Sequence, residues 1–139
     1  MTSTYEQEKE EMRQRCEKQC RSIADELDAL ARGAVYRDES GESHNIEDEN
    51  IDDVPDDWEQ MSICNYFEDY YNLRYVVDGC GEYFAVKVMV ACGGPNIWVD
   101  TESQSVDLFW WGDEASWPLS SDAVAEIDAL FGEMWGCRC

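Results

Sequence analysis

The sequence predicts an α+β protein: a four-stranded antiparallel sheet flanked by about three helices, in the order helix, loop, helix, four strands, helix. Three observations carry that prediction. Apolar residues recur at helical spacing before residue 36 and again after residue 120. Between residues 73 and 111 the period falls to two. Closely spaced turn residues then fold that stretch into hairpins, which gives an antiparallel sheet, rather than into helical crossovers.

From Tyr5 to Arg32 the chain has no Gly or Pro, and Met12, Cys16, Ile23, Leu27 and Leu30 recur at steps of three and four once Cys20 or Gln19 fills the gap. This predicts an amphipathic helix with a narrow apolar seam, stopped at Gly33. The seam suits packing on a sheet or pairing with a second copy as a homodimer. Residues 37–54, rich in acids and poor in large apolar side chains, read as an acidic loop or ordered excursion. Pro55 suits the first turn of a second helix, with Asp56 and Asp57 at the positive end of its dipole and Trp58, Met61, Cys64, Phe67 or Tyr71 facing inward.

Leu73, Tyr75 and Val77 form the first strand. A turn at 78–81 leads to a second, in which Phe84, Val86, Val88, Val90 and Cys92 are expected on one apolar face. Gly93 to Asn96 turns the chain into a third strand, Ile97 to Asp100, and residues 103–105 into a fourth, Val106 to Trp111. After a loop from Gly112 to Pro118, Ser120 or Ser121 caps a last helix with Val124, Ile127, Leu130, Phe131 and Met134 inward. The organisation is an N-terminal helix (1–36), an acidic loop (37–54) and an α+β core (55–139), in one domain overall.

Charge narrows the functional classes. With 139 residues, 32 Asp and Glu against 10 Lys and Arg give a formal charge of -22, while 44% hydrophobic and 12% aromatic residues supply a core. Residues 37–72 carry thirteen acids and a single base. Direct binding to nucleic acid or anionic membrane needs clustered bases, so neither is expected. No apolar run approaches a membrane span and the start has no basic-then-apolar pattern, so a cytoplasmic protein is expected. Seven cysteines fit reduced thiols better than three bridges and a leftover thiol.

Catalytic signals are weak. The single His44 sits in the acidic stretch, and Gly93-Gly94-Pro95 leads into a strand rather than a helix N-terminus, so no enzyme and no cofactor are expected. The segment Asp48 to Glu59 spaces oxygens somewhat like a calcium loop but has Asp53 where the turn needs glycine. Cys16, Cys20, Cys137 and Cys139 would make a four-sulfur zinc site if the chain ends met, although Cys16 already suits the apolar seam. Trp98, Trp110, Trp111 and Trp117 cluster. Strand alternation sends Trp110 and Trp111 to opposite faces, leaving one under a helix or exposed as a partner anchor.

The acids remain. Twenty-two negative charges equal those on about 11 base pairs of B-DNA, so a folded carrier can offer carboxylates where a basic groove expects phosphates. The expected contact residues are Glu47, Asp48, Glu49, Asp52, Asp53, Asp56, Asp57 and Glu59, with Asp113, Glu114 and Trp111 as a second patch. The block from Val88 to Thr101, continued from Val106 to Ser120, resembles small acidic proteins carried by phages and conjugative elements of gut bacteria. That resemblance, over roughly residues 70 to 136, implies an anti-CRISPR or anti-restriction inhibitor. Its partner would be a basic nucleic-acid-binding protein, a CRISPR effector or restriction enzyme, in a bacterial host. The other expectation is a protein-interaction module that uses the first helix seam and an exposed Trp without competing for DNA.

Overall fold

Helix α1, Thr4–Ala31, buries Cys16, Cys20, Ala24, Leu27 and Leu30 along one stripe. It ends where Gly33 takes φ 73°. The Ala34 and Gly33 amides donate to the carbonyls of Ala29 and Leu30, a Schellman closure. A Cβ at Gly33 would stand 2.6 Å from Nε2 of Gln60, which donates to the Gly33 carbonyl, so the position admits no larger residue without displacing that bond.

The computed structural model describes residues 4–137: three helices and two antiparallel sheets. After α1 come β1 (Val35–Arg37), β2 (Ser43–Asn45) and β3 (Glu59–Gln60), which form a small sheet in the order β2-β1-β3. A short helix, α2 (Ile63–Tyr66), leads to the main sheet: β4 (Asn72–Val77), β5 (Tyr83–Ala91), β6 (Asn96–Asp100), β7 (Ser105–Trp110) and β8 (Asp113–Pro118). These strands pair in sequence order, and α3 (Ser121–Gly136) closes the fold with Ser120 accepting the Ala123 amide at its N-terminus. Among the described residues no helix is long and apolar enough to cross a membrane.

Register decides which face is covered. The cross-strand rows Val88–Val99–Val106–Trp117 and Ile97–Leu108–Ala115 point to one side of the sheet. There α1 packs on β7 and β8 and α3 packs on β5, enclosing Leu27, Val86, Leu108, Ile127 and Phe131. The opposite side presents Arg74 beside Lys87, and the row Asn72–Met89–Trp98–Asp107–Ser116, without a covering helix.

Several expectations are corrected. The main sheet has five strands, not four, because Asp113–Pro118 is β8 rather than a loop. A second sheet, β2-β1-β3, occupies part of the acidic stretch. No helix starts at Pro55. The chain there is irregular until β3, and the helix between β3 and the main sheet is the four-residue α2, with Cys64 and Tyr71 exposed while Met61 and Phe67 are buried. On β5, Phe84 leaves the apolar face and is 60% exposed. The cause is a bulge: Val76 pairs with Ala85 but Val77 pairs with Tyr83, so Phe84 is the extra residue and Tyr83 turns inward, donating to Asp128. Cys92 is exposed beyond the end of β5. The apolar seam of α1 is covered by β7 and β8, so it is not available to a second copy.

Candidate protein-interaction surface

The acidic stretch is ordered by hydrogen bonds that Asp38, His44 and Asn45 make within it and by Arg32 outside it. Asp38 closes the β1–β2 hairpin by accepting the amides of Ser40 and Glu42 and the Ser40 hydroxyl. His44 lies between two carboxylates, with Nε2 2.7 Å from Asp38 and Nδ1 3.1 Å from Glu49. Its ring stacks on Trp58 with centroids 4.4 Å apart. Asn45 accepts the amides of Glu47 and Asp48, and Arg32 at the end of α1 bonds Glu47 at 2.8 Å. The amides of Ile46 and Met61 donate to Ala34 and Val35, fixing both ends of the 46–58 loop to the start of β1.

These contacts set the local electrostatics. Hydrogen bonds from Ser40 and His44 hold the Asp38 carboxyl far below the usual carboxylate range. Hydrogen bonds to Asp38 and then Glu49 push His44 up to about 8. At neutral pH the ring is therefore a cation among acids, with both nitrogens occupied as donors. Asp38, Glu42 and His44 also bring one ligand atom each within 4.8 Å, where a metal would compete with the proton that the two carboxylates favour on His44.

The eight acids expected from the sequence, Glu47, Asp48, Glu49, Asp52, Asp53, Asp56, Asp57 and Glu59, are all exposed on this frame. Glu47 and Glu49 hold Arg32 and His44; the other six form no ion pair among the described residues. Glu59 lies in β3 rather than at a helix start, so Asp48 to Glu59 is not the loop of a calcium helix-loop-helix.

The second patch lies elsewhere. Asp113 and Glu114 begin β8, and Asp113, Trp111, Tyr5, Glu8, Lys9 and Met12 line one cleft of about 300 Å³. The twenty residues from Met12 to Arg32 place this cleft roughly 30 Å along α1 from the Glu47 end. The helix between them is largely self-neutralised, with Arg13 on Glu10 and Glu17, Arg21 on Asp25, and Arg32 on Asp28. The two acidic patches are therefore separate surfaces.

Trp111 departs from its expected place as the end of a strand. Trp110 pairs with Asp113, so Trp111-Gly112 is a two-residue hairpin turn, with φ 52° and 82° at the two positions. Such turns favour Asn-Gly, and the left-handed conformation costs a Trp roughly 1–2 kcal/mol. The residue is nonetheless 88% exposed. Trp110 packs against the core, Trp117 lies under Arg21, and Trp98 lies under Arg74. Propensity alone could not reveal the turn, because Trp is a poor turn residue; the Gly112 that follows it was the available signal.

Sequence reasoning missed the pair Arg74 and Lys87, cross-strand neighbours on the uncovered sheet face. Lys87 reaches Asp100 and Glu102 at 3.7 Å, and Asp107 nearby has its pKa raised by burial. The cysteines proposed for zinc divide: Cys16 and Cys20 are buried under the sheet, Cys137 is exposed beyond α3, and Cys139 lies outside the described residues. The six described cysteines are free thiols, and burial pushes Cys20 up to about 11. Comparison of the chain with family models, curated proteins and solved structures gives no match.

Proposed function

We propose that this protein is a non-enzymatic inhibitor of a bacterial defence nuclease, a CRISPR effector or restriction enzyme, acting in the bacterial cytoplasm. It occupies the enzyme's basic nucleic-acid groove with carboxylates in place of phosphates. The observation that carries the reading is the acidic module of residues 47–59: eight exposed acids on a hydrogen-bonded frame, six of them without an ion pair among the described residues. A charge array held in place loses little entropy on docking and steers a basic partner toward it. The patch at Asp113 and Glu114, roughly 30 Å away along α1, is separated by close to one turn of duplex, which is about 34 Å. The two ends therefore suit one basic groove contacted twice.

The test is charge reversal. Replacing Asp52, Asp53, Asp56 and Asp57 with Lys is expected to abolish displacement of DNA from the target nuclease while the circular dichroism spectrum stays that of the wild type. Retained displacement would sink the proposal. A second reading, a protein-interaction module that does not compete for DNA, is favoured by the exposure of Trp111 but not by the α1 seam, which the sheet covers. Binding that survives high salt and leaves DNA bound would select it.

A further inference from the structure

We infer that the tip of the β7–β8 hairpin is an aromatic anchor, in which Trp111 inserts into an apolar pocket that a basic protein partner carries beside its charged groove. The inference rests on the inhibitor reading for the basic character of the partner, and it adds an apolar contact that no phosphate imitation would supply.

Two independent features of Trp111 favour a role outside the fold. Its backbone stands at φ 52° in a turn whose partner residue, Gly112, has φ 82°, a geometry that Asn adopts far more easily than a bulky side chain. Its side chain is almost bare, so the indole contributes little packing in return. A residue that suits neither the turn nor the solvent points to a contact that the isolated chain does not make. Trp is also the residue type most enriched at the energetic centres of protein interfaces.

The surroundings define the partner. Trp111 projects between two clefts: the one toward α1, and another of about 410 Å³ shared with Gly93, Gly94, Asn96, Phe109, Asp113 and Glu114. Phe109 is 44% exposed beside it, which makes a two-ring apolar centre. The rim is acidic on balance, with Asp113 and Glu114 on one side and Glu8 beside Lys9 on the other. Such a rim repels nucleic-acid phosphates, and a net charge of -22 opposes docking of a second copy. An apolar pocket edged with Lys or Arg matches both the rings and the rim.

The test uses the full chain with Trp111→Asn, which places Asn-Gly in the turn, and Trp111→Phe as a control that keeps an aromatic ring. Each is measured for thermal stability and for binding to a panel of purified CRISPR effectors and restriction enzymes at two salt concentrations. The expected result is an unchanged or raised Tm for Trp111→Asn, with affinity for the bound enzyme reduced by about thirty-fold or more. Trp111→Phe is expected to retain more binding, and the salt dependence stays that of the wild type because no charge has changed. A fall in Tm of several degrees would assign Trp111 to the fold and overturn the inference. Wild-type affinity in Trp111→Asn would overturn it while leaving the acidic surface standing. Salt-insensitive wild-type binding that is lost in Trp111→Asn would support the anchor and remove the phosphate imitation. No binding to any panel member would overturn both.

Discussion

His44 lies flat against Trp58, with ring planes inclined by 16°, and each of its nitrogens faces a carboxylate, Asp38 on one side and Glu49 on the other. One imidazolium thus joins the β1–β2 hairpin to both ends of the acidic loop. In a stretch with thirteen acids and a single base between residues 37 and 72, the only histidine of the chain bridges two of the acids, while Arg32 holds a third, Glu47.

The stability that follows from this arrangement depends on pH in a definite direction. The folded pKa of His44, about 8, lies above its ordinary value, so its contribution is full below about 6.5 and is lost as pH rises through 8. The Asp38 carboxyl is lowered, so its contribution is present above its ordinary value and is lost only in strong acid. An NMR titration of the His44 ring is expected to show a midpoint near 8, with Trp58 emission changing over the same range; a midpoint at 6.5 would remove the clamp.

Replacing Arg32 with Ala is expected to lower stability by about 1 kcal/mol or less, because both its ion pairs are solvent-exposed. The change concerns order rather than stability. Faster amide exchange at residues 46–49, with exchange in β5 and β6 unaffected, would confirm that Arg32 tethers the acidic module through Glu47.

Cores respond differently. Leu27 on α1 and Phe131 on α3 are fully buried against the covered sheet face, and either changed to Ala is expected to cost about 3–5 kcal/mol in denaturant unfolding. A cost below 1 kcal/mol at Leu27 would mean that α1 is not docked on β7 and β8.

Thiol chemistry separates the cysteines. In the native state an alkylating reagent is expected to label Cys64, Cys80, Cys92 and Cys137 and to spare Cys16 and Cys20, whose thiols are buried and disfavour the thiolate. Mass spectrometry of the labelled protein decides this. Rapid labelling of Cys20 without unfolding would contradict the packing of α1 on β8.

Much of the fold was legible because it follows from period and burial. The α1 seam, the strands carrying Val86, Val88, Ile97, Val99, Val106 and Leu108, and the inward face of α3 as far as Phe131 are each a repeat that burial explains, whereas Met134, expected inward, is exposed. The rest depends on partners distant in sequence. Strand β8, with Asp113, Glu114 and Ser116, has little strand propensity and exists because β7 offers a ladder on one side and α1 covers Ala115 and Trp117. The bulge at Phe84 reverses a strand's faces without leaving a mark in composition. For the candidate site, the exposure of the eight acids was readable from their charge. The separation of Asp113 and Glu114 from them was not, because it depends on where the two ends of α1 meet the rest of the chain.

Competition for a basic groove can be read in one titration. A labelled DNA duplex bound to each of a panel of purified CRISPR effectors and restriction enzymes is titrated with this protein at low and high salt. Saturable displacement from a particular enzyme is expected, weakened by salt and lost when Asp52, Asp53, Asp56 and Asp57 are replaced with Lys. Displacement from none, or equal displacement from every basic protein, would contradict it.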